Sequence, residues 1–355
     1  MRVSRCLLLA IACGAAPCDA EPIERAAPPV EGTRLQRFEY RQPHMGVAFV
    51  IRLYAADEAA AKRAADAAYA RVAELNDILS DYDPESELMR LCRDSAPGKP
   101  IEVSAELAFV LSRSLAMSRR TDGAFDVTIG PVVRLWRHAR RRREMPNAEL
   151  LAEARALVGW KSVRLDERAR TVELLKPEMR LDLGGIAKGY AADEALRLLR
   201  EHGIDRALID AGGDIVMGDA PPGRAGWRIG IAPLDQPEGA PSRHLVLANQ
   251  SVATSGDAFQ HVEIAGTRYS HIVDPKTGLG LTTHSSVTVV ASTGIEADAL
   301  ASAVSVLGPK KGIALVEETP KAAALVVQVE EGTPQTFESR RLMRFEERKS
   351  EASSR

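Results

Sequence analysis

Apolar residues recur along this chain with two different spacings, and each spacing marks a kind of element. The positions Ala61, Ala65, Ala68, Val72, Leu75 and Leu79 follow one another by alternating steps of four and three, which puts them on one stripe of a helix. That stripe needs a sheet or another helix to cover it. Just upstream, residues 44–54 (HMGVAFVIRLY) form an apolar run rich in strand formers and predict a strand. Ser104 is placed to cap a helix ending near Arg119, while Asn147 and Gly159 bracket another. Farther on, strand signals dominate. SVRLDERARTVELL predicts a hairpin turning at residues 167–169, and QHVEIAGTRYSHIV another at 265–267. ALIDAGGDIVMG, WRIGIAPL and SSVTVVAS add further strands. Connections this short join antiparallel neighbours, so the pattern predicts an α+β fold of mixed, largely antiparallel sheets packed with helices.

The two ends break the pattern. MRVSRCLLLAIACGAAPCDA sets Arg2 and Arg5 before a short apolar run, with small residues following up to Ala20. That order is a secretory signal peptide over residues 1–20, and its apolar run is too short to span a bilayer. Cys13 stands where a bacterial lipoprotein cysteine would, although Ala10 replaces the usual leucine, so a lipid anchor there stays open. Residues 21–40 read as a linker, 41–337 as the folded domain, and 338–355 as a charged, frayed tail. The predicted location is outside the cytoplasm, periplasmic or attached to the cell membrane. A mature chain cut after Ala20 keeps Cys92 as its one thiol and can form no internal disulfide.

Composition removes one class of function. The 355 residues carry 47 basic and 49 acidic side chains, a net charge of -2, so nothing in the totals suggests nucleic acid as a partner. The conspicuous charge run, RHARRRR at residues 137–143, reads as a solvated helix face with no catalytic task.

Several stretches carry possible chemistry, each with a plainer alternative. In GIEADALASAVSVLG, Asp298 and Ser302 are four apart and share a helix face. They offer oxygens to a hard cation such as magnesium, or Asp298 satisfies free N–H groups at a helix start. In LDLGGIAKGYAADEALRLL, Gly184, Gly185 and Lys188 precede a helix N-terminus that favours anions, yet a strand-to-helix joint would use the same glycines for packing. In YSHIVDPKTG, the segment from Asp274 to Gly278 is ordinary turn chemistry, and His271 before it is either a general base or a structural histidine. Tyr82 in SDYDPESEL and Phe125 in DGAFDVTIGPVVRLW could lie against a planar ring or belong to the core.

Taken in order, these stretches resemble the FAD:protein FMN transferases, the ApbE family. The matching blocks are HMG, S-x-Y…S-E, G-A-F-D-V-T-x-G-P, D-L-G-G-I-A-K-G-Y-A-A-D, D-A-G-G-D-I, W-x-I-G-I, A-T-S-G-D, S-H-I-V-D-P-x-T-G and A-D-A-L-A-S-A, running from His44 to about Gly308. The resemblance implies that Met45, Tyr82, Ala124, Phe125, Asp126, Asp182, Lys188 and Ile272 contribute to an FAD site. It implies magnesium held by the backbone carbonyl of Gly185 with Asp298 and the hydroxyl of Ser302, and His271 as the base. Val47 stands where the family usually has threonine, Ser302 replaces a threonine, and Cys92 sits near a usual asparagine. The implied activity moves FMN from FAD to a threonine or serine hydroxyl of an acceptor, releasing AMP. Implied acceptors are flavoprotein subunits of exported or membrane redox complexes. Two alternatives use the same residues: FAD pyrophosphatase activity giving FMN and AMP, and FAD binding without catalysis.

Overall fold

The computed structural model describes residues 34–236, 239–257 and 260–347. The signal peptide, Cys13 and most of the expected linker lie outside these residues. The first elements are β1 (Gln36–His44) and β2 (Val47–Ala55), paired from Gln36 opposite Ala55 to His44 opposite Val47. Between them Met45 and Gly46 both have positive φ, 48° and 74°, the primed-turn geometry whose twist matches that of antiparallel strands. Residues 44–54 are therefore the turn and inner strand of a hairpin, and the expected linker through residue 40 is corrected, because β1 has a partner to pair with.

The predicted helical stripe is α1 (Glu58–Leu79), and all six of its marker residues are buried. After it come α2 (Glu87–Asp94), β3 (Ile101–Glu102), α3 (Ala105–Arg120), α4 (Gly130–Arg142) and α5 (Ala148–Leu157). Ser104 accepts the Leu107 N–H and Asn147 accepts those of Glu149 and Leu150, so both predicted caps form. The first predicted hairpin is β4 (Val163–Asp166) with β5 (Thr171–Leu174); β5 also pairs with β3. Next are α6 (Ala187–Glu201), β6 (Ala207–Ala211), β7 (Ile215–Met217), β8 (Trp227–Ile231), β9 (Arg243–Leu247) and β10 (Ser251–Gly256). The second predicted hairpin is β11 (His261–Ile264) with β12 (Thr267–Ser270), and the chain continues through β13 (Ser285–Ala291), α7 (Gly294–Glu318), β14 (Ala323–Glu330) and β15 (Thr333–Glu338).

Eight strands form one antiparallel sheet in the order β1-β2-β6-β7-β10-β13-β14-β15. Its period of two sorts the side chains cleanly. Ile209, Val216, Ala253, Val289, Ala324 and Val326 face the helices α1, α6 and α7, whereas Leu208, Met217, Val252, Val290, Ala323 and Leu325 face the β8–β9 hairpin. The α+β expectation of largely antiparallel sheets with helices is met. A third, smaller cluster of Val132, Trp136, Ala139, Ala154, Val262 and Val273 fastens the β11–β12 hairpin to α4 and α5.

α7 is long and apolar enough, by composition, to cross a membrane. Its apolarity is that of a core helix: Ala297, Leu300, Ala301 and Val304 are all fully buried. Gly308, with φ 73°, and Pro309 break it near its far end. α6 and α7 meet at two glycines, where a Cβ on Gly189 would stand 2.1 Å from the Gly294 carbonyl oxygen. Each helix also caps the other. Asp193 of α6 accepts the N–H groups of Gly294 and Ile295, and Asp298 of α7 accepts that of Gly189.

The chain after β15 does not fray where the sequence suggests. Leu342 has 0% exposure and joins Phe345 in the second core, while Arg341 donates to the carbonyls of Val316 and Ala322. The expected tail from residue 338 is thus corrected for residues 339–347, whose apolar anchors dock them.

Candidate active site

The stretch LDLGG is not a strand end. Residues 179–183 join no ladder. They are held by the Asp182 N–H donating to the Val127 carbonyl and the Leu181 N–H donating to Cys92 Sγ at 3.3 Å. Cys92 is a structural acceptor, its thiol pushed up to about 11 by burial. α6 then starts at Ala187, so Lys188, expected before the helix, lies in its first turn.

This turn and α7 build a polar centre inside an apolar core. A Cβ on Gly185 would fall 2.7 Å from Ser302 Oγ, so only glycine lets that hydroxyl approach the turn backbone. Unlike Ser305, which donates to the carbonyl four residues back, Ser302 has no hydrogen bond among the described residues. Asp298 is buried beside it, its Oδ2 at 3.1 Å from the Gly189 N. Lys188 Nζ lies 3.7 Å from Asp298 and is hydrogen-bonded to Asp214. Burial, together with the charge of Asp214, raises the pKa of Asp298 above the usual carboxylate range; burial raises that of Asp214, opposed by Lys188.

Two buried carboxylates against one ammonium leave one negative charge without a partner, which is costly in an apolar surround. A carboxylate, a free hydroxyl and the carbonyl of Gly185 are all oxygen donors, the set a hard divalent cation takes. Lys188, Gly185, Asp298 and Ser302, chosen from sequence as separate signals, are thus brought together. Asp298 performs its plainer task as well, capping α6. The helix N-terminus offered to a phosphate already holds this carboxylate. Asp214 was given no role from sequence, although its D-A-G-G-D-I block stood out; only the fold sets it against Lys188.

Beside this centre lies an aromatic wall. Phe125 and Ala124 are buried, with a Phe125 ring carbon 3.4 Å from where a Gly185 Cβ would stand. Asp126 spends its carboxylate on Thr128 and on the Trp160 N–H, so its side chain shapes the loop. Asp182 accepts the Gly184 N–H at 2.8 Å and pairs with Arg137 at 3.1 Å. Burial and the neighbouring Asp81 raise its pKa, opposed by Arg137. The same guanidinium lies 4.0 Å from the ring centroid of Tyr82, which is 75% exposed. Reading residues 137–143 as one solvated face therefore fails at Arg137, which is half-buried and joins α4 to the loops of Asp81 and Asp182. Met45 leans on the main core, and Val47 packs onto Gly212, whose Cβ would lie 2.8 Å from that of Val47. The valine thus contributes packing between the two turns.

His271 follows β12. Its backbone N–H and its Nδ1 both meet the Gln260 carbonyl, at 2.9 and 3.1 Å. A carbonyl only accepts, so Nδ1 carries the hydrogen and Nε2 keeps its lone pair. Burial lowers the pKa to about 4, with the Gln260 bond opposing and Arg140 and Lys188 lowering it further. The imidazole is therefore a neutral base at ordinary pH, within electrostatic reach of Lys188 and of Arg140, a residue the sequence pattern did not separate from its run. Ile272 is half-buried beside it, its N–H donating to Ser270 Oγ. The arrangement offers oxygen ligands for a cation, a neutral base and a planar exposed ring on connected surfaces.

A family model described as the ApbE family matches residues 45–326. The FAD:protein FMN transferase of Haemophilus influenzae is 35% identical over 266 residues, 73% of this chain and 77% of its own length. The FAD:protein FMN transferase of Treponema pallidum is 32% identical over 336 residues, 90% of each chain. Among solved structures, the flavin transferase ApbE from Vibrio cholerae superposes with a TM-score of 0.77 at 29% identity, covering 88% of this chain and 100% of that one.

Proposed function

This chain belongs to the ApbE family and is a flavin transferase using FAD, and from that premise we propose how its residues carry the transfer. FMN passes from FAD to a threonine or serine hydroxyl of an acceptor protein through a phosphoester bond, and AMP is released. The observation that supports this reading is that Lys188, 3.7 Å from Asp298 of the oxygen cluster, lies within electrostatic reach of His271, whose Nδ1 is held by the Gln260 carbonyl.

Gly185, Asp298 and Ser302 would hold magnesium, which when bound acts as a Lewis acid on the phosphate oxygens. Lys188 is held by Asp214 and Asp298 and adds positive charge beside them. Met45, Tyr82, the 124–126 loop, Asp182 and Ile272 line the flavin dinucleotide, with Arg137 fixing Asp182 and the Tyr82 ring in place. Nε2 of His271 takes the proton of the acceptor hydroxyl. The hydroxyl oxygen forms a bond to the flavin-side phosphorus as the bond from that phosphorus to the bridging oxygen breaks. The bridging oxygen leaves on AMP. We propose further that the protein works outside the cytoplasm on exported or membrane-bound flavoprotein subunits, which the leader at residues 1–20 supports.

The test is to incubate the purified chain with FAD, magnesium and an acceptor bearing an exposed threonine. The acceptor should gain the mass of one FMN unit and AMP should appear in equal amount. His271→Ala should lose at least about a hundredfold in transfer, the usual span of a general base, while still binding FAD. Release of AMP at the same rate without acceptor would favour the hydrolytic reading, and intact FAD after long incubation would favour mere binding.

A further inference from the structure

The arginines of α4 are the one sequence feature that the site absorbs only in part. Arg134, Arg137, Arg140, Arg141 and Arg142 lie on the helix and Arg143 closes it. Among the described residues only Arg137 has a carboxylate partner, shared between Asp81 and Asp182. Other surface arginines are matched, as Arg197 is by Glu194 and Glu201 and Arg243 by Glu338 and Glu346. In a chain of net charge -2 this is a local excess. The helix dipole favours cations only in the last turn and leaves Arg134 unexplained.

Position gives the strip its meaning. Arg134, Arg141, Arg142 and Arg143 are exposed and Arg140 is half-buried. On the same helix the Trp136 ring meets that of Tyr269, two residues before His271, at 5.1 Å between centroids, and Arg137 pairs with Asp182 at 3.1 Å; the charge of Arg140 is felt at His271. The strip therefore lies on the helix that packs beside the base. From residue 134 to 143 it spans about 13 Å at 1.5 Å per residue, much longer than a diphosphate and comparable to a few residues of extended polypeptide.

We propose that this strip docks the acceptor polypeptide through acidic side chains flanking the hydroxyl that receives FMN. The inference rests on the transfer reading and adds to it the charge of the partner. Arg140 orients the inner acidic residue, and the outer arginines raise the rate of encounter by charge steering. Such steering weakens as salt shortens its range to about 8 Å at physiological ionic strength.

The test uses the full chain and fluorescent threonine peptides that differ only in having acidic or neutral flanks. Binding is read by anisotropy and FMN addition by mass, with and without R141E/R142E. The acidic peptide should bind about tenfold more tightly at low salt, the lower end of steering effects, and R141E/R142E should remove that preference while FAD affinity stays unchanged. R141Q/R142Q, a gentler change, should fall between. An equal preference in wild type and variants overturns the proposal. So does a fall in FAD affinity with the preference intact, which would give the strip to the dinucleotide. Loss of binding to vesicles of phosphatidylcholine and phosphatidylglycerol, with peptide preference unchanged, would overturn it in favour of a membrane surface. An intact acidic preference without FMN addition to any peptide would fault the transfer reading instead.

Discussion

His271 shows how one backbone carbonyl and one degree of burial decide what a side chain does. The Gln260 oxygen fixes the proton on Nδ1, and burial brings the pKa down to about 4 from 6.5. The imidazole stays neutral as the pH falls through 6.5 and is protonated only near 4, so kcat/KM for transfer should show no acid limb at the ordinary histidine value. A pH profile with a limb near 6.5 would refute this. Stability runs the other way: the unfolded chain binds its proton near 6.5, so this histidine weakens folding as the pH drops from there toward 4. The base, Lys188, Gly185, Asp298 and Ser302 were legible in the sequence through their motifs. Asp214, Arg137 and Arg140 were not, because each draws its role from a partner on another element and a charge by itself does not name its partner.

At the scale of elements, local periodicity served well. The stripe of α1, the caps at Ser104 and Asn147 and both predicted hairpins are interactions among residues near in sequence, and all appear as read. Residues 179–183 join no ladder: the N–H groups of Leu181 and Asp182 go to Cys92 Sγ and the Val127 carbonyl, partners that the local sequence does not name. The join of α6 and α7 is where element and site meet. A methyl at position 189 has nowhere to go, with the Gly294 oxygen 2.1 Å away and Asp298 Cβ 2.9 Å away. Gly189→Ala should cost about 1–3 kcal/mol or more, read by urea unfolding. It should also weaken magnesium binding measured by calorimetry, since separating the helices carries Asp298 away from Gly185. Unchanged stability would mean that the two backbones do not touch in solution.

Across the whole molecule, two cores share one sheet and the chain after β15 closes the second. Leu342→Ala removes a fully buried side chain from that face and should cost about 2–5 kcal/mol. The same substitution at an exposed residue such as Met343, 73% accessible, should cost almost nothing. Equal midpoints for the two variants in urea would return residues 339–347 to a frayed tail.

By itself the sequence determined the fold class through periodicity, a property of neighbouring positions, and family membership through the order of its motifs, which also singled out His271, Gly185, Asp298 and Ser302 as candidates. Only the tertiary structure decided that Asp298 caps α6, that Asp214 shares Lys188, and that Arg137 of a charged run is half-buried against Asp81 and Asp182. Each of these depends on which atoms approach between separate elements, and that distance is set by how the cores close.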